Sequence, residues 1–475
     1  MTESFLWFDL ETFGRNPRTS RISQFAAIRT DFELNPIGEP VSLFCKPADD
    51  FLPEPEAAII TGITPQYAFE AGLCEAEFMA AMHEQFNRPG TCGVGFNSIR
   101  FDDEFVRFGF YRNFFDAYER EYAGGNSRWD LLDVSRFFYT LRPDGLNWPL
   151  RDDGMPSFKL EHLAKANDCF EGEAHEALSD VRSLVNLARK LKSLQPKLWH
   201  YALNLRDKAF VANLLTLPKH HCILHISGQF SAAKACSALM LPIMPHPVIK
   251  NRTIAVELAP QALQLLEYNA QQISNSIFTK SSELPEGEVR IGIKEIHHNR
   301  CPALIGLQSL TDAELLRWKI ESERLQLDLG QAESIRQQLL SGLESIRNKL
   351  TAVFSTARDF NGDDPDGALY DGFIDRADKV KFAKARSSKG QAPLVFNDPR
   401  LTELYFRYKA RNWPESLDAS ERQLWDRHKW QHLSPEAILS YQEHINDLIS
   451  GNPAHAEVLE SLKDWVIEIT AHQWP

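Results

Sequence analysis

Asp9 and Glu11 stand two residues apart where the apolar run Phe5 to Phe8 stops. On a strand, positions i and i+2 point to the same side, so these acids share one face at the end of a hydrophobic element. Like charges that close need a reason. Either the strand ends in water, or a hard divalent cation with oxygen ligands offsets the repulsion. Acid-x-acid pairs are common by chance, so the second reading depends on further acids. Asp102, Asp103 and Glu104 are consecutive. Neighbours in a helix do not face one way, so at most one of the three can join the pair, and a solvated acidic turn is the plain alternative. His175 and Asp180 open another helical segment, about 140° apart around its axis and so loosely on one side. A histidine there is more often a surface or capping residue. Beside a fourth carboxylate, an imidazole that titrates near neutral pH becomes a candidate base.

The elements that must position these groups can be read around them. Phe5 to Phe8 reads as a strand buried on both faces. Arg21 to Thr30 and Pro40 to Cys45 read as further strands of an antiparallel meander, Glu75 to Phe86 as a helix and Thr91 to Phe96 as a strand. The alternation indicates an α/β domain. Ser157 to Asn167 reads as a short amphipathic helix, and Pro196 to Leu217 as helical. From Cys222 to Leu258 short apolar runs alternate with Gly and Pro, as in small barrels, and Val289 to Leu307 continues in strand-like fashion. Thr311 to Phe354 has helical periodicity without a sustained heptad, which favours intramolecular packing over a coiled coil. Leu401 to Lys409, Glu421 to Trp430 and Ala454 to Ile469 indicate an all-helical last part.

The chain has 475 residues, too many for one core, so two or three domains are expected. Its hydrophobic share of 43% and charged share of 25% are those of an ordinary globular protein. Seven scattered cysteines without a C-x-x-C pair argue against a disulfide framework or zinc ribbon. No apolar stretch reaches the ~20 residues of a membrane span, and no positive segment precedes the first apolar run, so a cytoplasmic protein is expected. Asp359 to Gly367 superficially resembles a calcium loop, but Asp364 and Tyr370 occupy positions where Gly and Glu are needed, so it reads as a linker. The pairs His220 and His221, and His297 and His298, lack ligand partners at zinc spacing. Net charge is −13, which repels nucleic acid unless local basic and aromatic patches act against it.

Asp9-x-Glu11, then Asn97-x-x-x-Phe101-Asp102, then His175-x-x-x-x-Asp180 resemble, in order and spacing, the three motifs of the DEDDh exonuclease superfamily. The runs Asp9 to Gly14 (DLETFG), Asn97 to Glu104 (NSIRFDDE), Asn126 to Asp133 (NSRWDLLD) and Leu141 to Pro149 (LRPDGLNWP) are similar to those of bacterial exonuclease I. Further matches are Asn299 to Pro302 (NRCP), Leu369 to Phe373 (LYDGF) and Tyr408 to Pro414 (YKARNWP). The resemblance implies an α/β, ribonuclease H-like exonuclease domain over 1–195, an SH3-like barrel with a helical insertion over 196–352, and an all-α domain over 353–475. It also implies a processive 3′→5′ exodeoxyribonuclease on single-stranded DNA, acting in repair and recombination.

By that resemblance Asp9, Glu11, Asp102 and Asp180 are metal ligands, Glu11 also touches the substrate end, and His175 is the general base. Phosphodiester hydrolysis needs an activated water and a stabilised leaving oxygen, and two cations about 3.5–4 Å apart can supply both. Mg²⁺ suits such oxygen ligands, with Mn²⁺ a substitute. Thr12 and Phe13 fall at the terminal nucleotide, as does Lys159, where relatives often carry Arg and where lysine lacks the bidentate fork.

Single strands are gripped by cationic grooves and stacking aromatics. Arg107, Tyr118, Tyr122, Arg136, Lys208, Lys294, Asn299, Tyr370 and Phe373 match local family motifs and are expected at the DNA; Lys379 to Lys389 adds a basic cluster or a solvated helix face. The family's recruitment by the acidic carboxyl tail of single-stranded DNA-binding protein points to Arg142 and Tyr201. A monomer is expected. Two other readings compete: a 3′→5′ exoribonuclease, which the long extra domains argue against, and a non-catalytic DNA-binding scaffold, which retention of all four acids argues against.

Overall fold

The computed structural model describes residues 3–471 apart from 173–175, 217–220, 281–282, 285–289, 314–328, 356–361 and 363. His175 therefore lies outside the described residues, as does His220. In chain order the first part runs β1 (Ser4–Thr12), β2 (Ile22–Thr30), β3 (Val41–Phe44), α1 (Pro55–Thr61), α2 (Pro65–Ala71), α3 (Glu75–Phe86), β4 (Thr91–Gly95), α4 (Asp102–Arg112), β5 (Ser127–Asp130), α5 (Leu131–Leu141), α6 (Leu160–Ala166) and α7 (Ala177–Leu194). The strands form one sheet in the order β3-β2-β1-β4-β5.

Central β1 is why the opening run is apolar throughout. It pairs antiparallel with β2, Phe5 opposite Thr30 through Glu11 opposite Gln24, and parallel with β4 from Ser4 to Trp7. Phe5, Leu6, Trp7 and Phe8 are all at most 1% exposed. One face packs Leu6, Phe8 and Leu10 with Phe25 of β2, Phe78, Met82 and Phe86 of α3, and Phe105 and Phe110 of α4. The helical spacing of Phe78, Met79, Met82 and Phe86 thus serves the core. α3 has the bounds expected, and the three-stranded meander β1-β2-β3 is antiparallel as expected. The expected helix Ser157 to Asn167 is shorter, because its first residues are extended up to Lys159.

The chain packs as two units, one of residues 1–127, 170–185 and 359–475, the other of 128–169 and 186–358. Packing therefore does not follow sequence order: the last third joins the first. Within the first unit α4 residues Phe108 and Tyr111 and the loop residue Phe114 share a core with Leu369, Phe382, Phe396, Leu401, Tyr405 and Tyr408. The C-terminal helices include Pro399–Asn412, Ala419–His432, Pro435–Gly451 and Ala456–Thr470, the all-helical part expected.

The second unit holds a five-stranded antiparallel sheet of β6 (Ile223–Ile226), β7 (Ser237–Pro245), β8 (Arg252–Glu257), β9 (Ile293–His297) and β10 (Ala303–Gly306), in the order β10-β6-β7-β8-β9. Helices Gln264–Glu267 and Ala270–Phe278 interrupt it between β8 and β9, the small barrel with insertion expected. Helices Leu329–Ser341 and Leu343–Phe354 follow within the stretch 311–354 expected to be helical, of which 314–328 lie outside the described residues, and the described part of Pro196 to Leu217 forms Pro196–Asn204 and Lys208–Leu214. Among the described residues no helix is long and apolar enough to cross a membrane.

Candidate active site

The site begins with a fault in β1. The pairing with β2 runs regularly to Glu11 and then slips, Thr12 meeting Ile22; such a bulge ends regular pairing and re-aims the strand. Asp9 and Glu11 lie just before it, on one side of the sheet. The second acid arrives through a tight turn after β4. Asn97 adopts φ 66°, and the Asp103 N–H donates to the Ser98 carbonyl at 2.8 Å. A Cβ on Gly95 would lie 2.5 Å from Ser98 Cβ and 3.3 Å from the Phe8 carbonyl oxygen. Only glycine lets the turn close against the strand beside Asp9.

That turn sends the three consecutive acids three ways. Asp103, buried, pairs with buried Arg120 at 2.5 Å. Glu104 pairs with Arg107 and accepts the Tyr370 hydroxyl. Asp102, 5% exposed, acts electrostatically on both Asp9 and Glu11. The expectation that only one of the three can face the strand pair agrees with this arrangement.

Asp180 comes from the first turn of α7. Glu176 holds the start of that helix, its carboxylate accepting the Ser179 N–H at 2.8 Å and the Ser179 hydroxyl. Its side chain is one feature the sequence reading missed, since glutamate is not among the usual capping residues and carried no signal. Ala177, Val181 and Leu184 pin the helix to the core.

Asp9, Glu11 and Asp180 bring one carboxylate oxygen each within 4.8 Å of one another. Burial is the largest influence on Asp9 and Glu11, and the strongest charges acting on both are other carboxylates. Asp9 is pushed well above the usual carboxylate range by burial, then by Asp102, Glu11 and Asp180. Glu11 is pushed up to about 8 by burial, then by Asp180, Asp102 and Glu176. An all-carboxylate set under mutual repulsion fits a hard divalent cation, and its chemistry offers nothing to a soft metal.

The neighbouring residues are less open. The Thr12 hydroxyl donates to the Gly14 carbonyl at 2.7 Å. The Phe13 ring is buried with Phe51, Ile63 and Ala68, and its main-chain N–H and carbonyl bond to Arg21 and Glu54. Lys159, in the second unit, is exposed immediately before α6.

The residues expected at DNA divide sharply. In the first unit Arg107 is buried, ion-paired with Glu104 and Glu121, with its guanidinium 5.3 Å from the Tyr118 ring centre. Tyr370 is turned into the same cluster. Tyr122 and Phe373 instead present their rings to solvent, Phe373 completely. In the basic stretch Lys379 pairs with Asp116, Lys381 with Asp378, and Arg386 lies 4.1 Å from the Phe115 ring centre. In the second unit Arg136 pairs with Asp133 at 2.8 Å, and Lys294 lies over the Phe230 ring at 4.9 Å. Lys208 and Asn299 are exposed, the Asn299 carbonyl accepting from Arg128. Tyr201 stacks on Phe137 and donates its hydroxyl to the Leu304 carbonyl at 3.1 Å, while Arg142 is half-buried at the end of α5.

Comparison with known proteins covers the same ground independently. Family models match in three consecutive stretches: Exonuclease over residues 6–188, Exonuclease I SH3-like domain over 206–356, and Exonuclease I C-terminal domain over 363–469. Exodeoxyribonuclease I of Escherichia coli (strain K12) is 38% identical over 465 residues, spanning 97% of this chain and 96% of that protein. A crystal structure of E. coli exonuclease I in complex with a dA16 oligonucleotide matches with a TM-score of 0.93 at 38% identity, covering 98% of this chain and all of that one. A crystal structure of SSB/exonuclease I in complex with the inhibitor CFAM matches with a TM-score of 0.89 at 36% identity, covering 99% of this chain and 100% of that one.

Proposed function

The chain belongs to the exonuclease I family of exodeoxyribonucleases, and we propose that it shortens single-stranded DNA processively from the 3′ end, releasing 5′-mononucleotides. The observation that carries this reading is the acid cluster: three carboxylate oxygens within 4.8 Å, a fourth acid acting on Asp9 and Glu11, and burial with like-charge repulsion pushing the Glu11 pKa up to about 8. Asp9, Glu11, Asp102 and Asp180 would hold two Mg²⁺ ions, or Mn²⁺ in their place. Such ions supply an activated water and stabilise the leaving oxygen. His175 would take the proton from the attacking water, the general-base role that imidazole side chains commonly fill. Glu11 also meets the terminal nucleotide, Thr12 and Phe13 shape that end of the site, and Lys159 offers a positive charge to a phosphate.

DNA rather than RNA is favoured because the family match extends over residues 206–356 and 363–469, parts that a short RNA substrate does not require. The relative's dA16 complex points the same way. Exposed Phe373 and Tyr122 would stack bases; Lys208, Lys294, Asn299 and Arg136 would follow the backbone. Single-stranded DNA-binding protein is the partner that the solved SSB/exonuclease I complex of a relative supports, and its tail would dock at Arg142 and Tyr201. A cytoplasmic monomer acting in repair and recombination completes the proposal, with functional divisions near residues 195 and 352.

The test uses a 5′-labelled single strand, its duplex and an RNA of the same sequence, with Mg²⁺ or chelator, and wild type beside His175→Ala. Shortening of the DNA single strand alone, abolished by chelator and by the substitution, is the expected result. Binding without shortening would make the acids a retained scaffold. Preference for RNA would overturn the substrate class.

A further inference from the structure

We infer that Glu104 is a positioning residue for Asp102 and that Tyr370 holds Glu104 in place, so that the segment Pro365–Tyr370 belongs to the apparatus setting the acid cluster. The inference rests on the metal reading of that cluster.

Asp102 and Glu104 occupy the first turn of α4. Asp102 acts as a like charge on Asp9 and Glu11, so the turn that carries it needs restraint against that repulsion. The restraint comes from its neighbours. Asp103 is fixed by Arg120, and Glu104 by two donors, the guanidinium of Arg107 one turn later and the Tyr370 hydroxyl. Arg107 is itself held by Glu121 at 2.8 Å. Tyr370 has its ring edge-on to Phe108 at 5.6 Å. Its segment is tied down at several points: Tyr111 donates to the Pro365 carbonyl at 3.0 Å, Arg400 donates to the Ala368 carbonyl at 2.8 Å, and Asp366 pairs with Arg407 and Arg411. A rigid C-terminal segment therefore presents one hydroxyl to the side chain two residues from Asp102. Arg107 and Tyr370, which the sequence suggested as DNA contacts, have their polar atoms engaged inside the protein.

Outer partners of metal-ligating groups typically tune affinity roughly 10- to 100-fold. Tyr370→Phe removes one oxygen and keeps the ring. Free Mn²⁺ titrated into the full chain without DNA, followed by electron paramagnetic resonance, reads the effect apart from catalysis. Tyr370→Phe is expected to weaken Mn²⁺ binding roughly 10-fold, to lower kcat at limiting Mn²⁺, and to leave KM for single-stranded DNA and the chelator-treated melting temperature near wild type. Tyr405→Phe, which removes a hydroxyl bonded to the Ala392 carbonyl rather than to Glu104 or its supporting segment, is expected to bind Mn²⁺ as wild type does. Wild-type Mn²⁺ affinity in Tyr370→Phe with a raised KM would overturn the inference and make Tyr370 a DNA contact. Equal weakening by Tyr405→Phe would also overturn it, since general docking would then be responsible. Failure of the wild type itself to bind Mn²⁺ would instead overturn the metal reading beneath it.

Discussion

The first unit buries two groups of acids, and they are built in opposite ways. In the first group, Asp9, Glu11, Asp102 and Asp180, the strongest charges acting on Asp9 and Glu11 are other carboxylates, and burial plus like charge push these two upward. Asp50 and Asp366 are more fully enclosed than half-buried Asp9 and Asp180, yet Arg411 reaches both, at 2.6 Å and 2.5 Å, while Arg407 lies 2.8 Å from Asp366 and His428 lies 3.3 Å from Asp50. Burial alone would raise these two as well; Arg411 foremost, with His428 at Asp50 and Arg21 and Arg407 at Asp366, holds them far below the usual range. The difference is one of compensation. Where arginines are folded in, the acids tie the C-terminal helices to the N-terminal sheet. Around Asp9 and Glu11 the strongest charges are other carboxylates, an arrangement that suits a divalent cation.

Substitutions should separate the two groups by sign. Asp9→Asn is expected to lower kcat by at least about 10³-fold, the scale of losing a main electrostatic stabiliser, while raising the melting temperature of metal-free protein because one repelling charge is gone. Steady-state kinetics and calorimetry on one preparation check both. Asp366→Asn should do the reverse to stability. Breaking a buried pair leaves arginine uncompensated and costs about 3–5 kcal/mol, measured by urea unfolding. The smallest effect is expected far from either cluster. Phe373→Ala removes a fully exposed ring, so single-strand affinity should fall by roughly 1–3 kcal/mol with no change in melting temperature; an unchanged affinity would remove Phe373 from the DNA path.

The acids of the first group were legible in sequence chiefly through the order and spacing of motifs that resemble a known family, with the i and i+2 placement of Asp9 and Glu11 on a strand as the local signal. So were the buried run Phe5 to Phe8 and the helix Glu75–Phe86, whose periodicity the core enforces. The second group was not legible. Asp50 and Arg411 are 361 residues apart, and nothing local in either segment marks a partner. Arg107 and Tyr370 were expected at the DNA from matches to local family motifs, and such matches carry no sign of the bonds that packing gives their polar atoms, Arg107 to Glu104 and Glu121 and Tyr370 to Glu104. The refusal of Asp102, Asp103 and Glu104 to face one way was foreseeable from helix geometry. Their three partners were not.

The pH dependence of metal-free stability tests the contrast most directly. Glu11, raised from its ordinary 4.5 to about 8, keeps in the folded state a proton that the unfolded chain releases. Its contribution is therefore full below 4.5 and lost as pH rises toward 8. Asp50 and Asp366, with lowered values, contribute above about 3.8 and lose that contribution as pH falls further. Melting temperatures of wild type and Asp9→Asn should thus be compared from about pH 5 to pH 8, with chelator and with Mg²⁺. Metal-free wild type should fall relative to Asp9→Asn as pH rises, and Mg²⁺ should restore the wild type alone. Parallel curves for the two proteins, indifferent to Mg²⁺, would contradict a cation site at these acids.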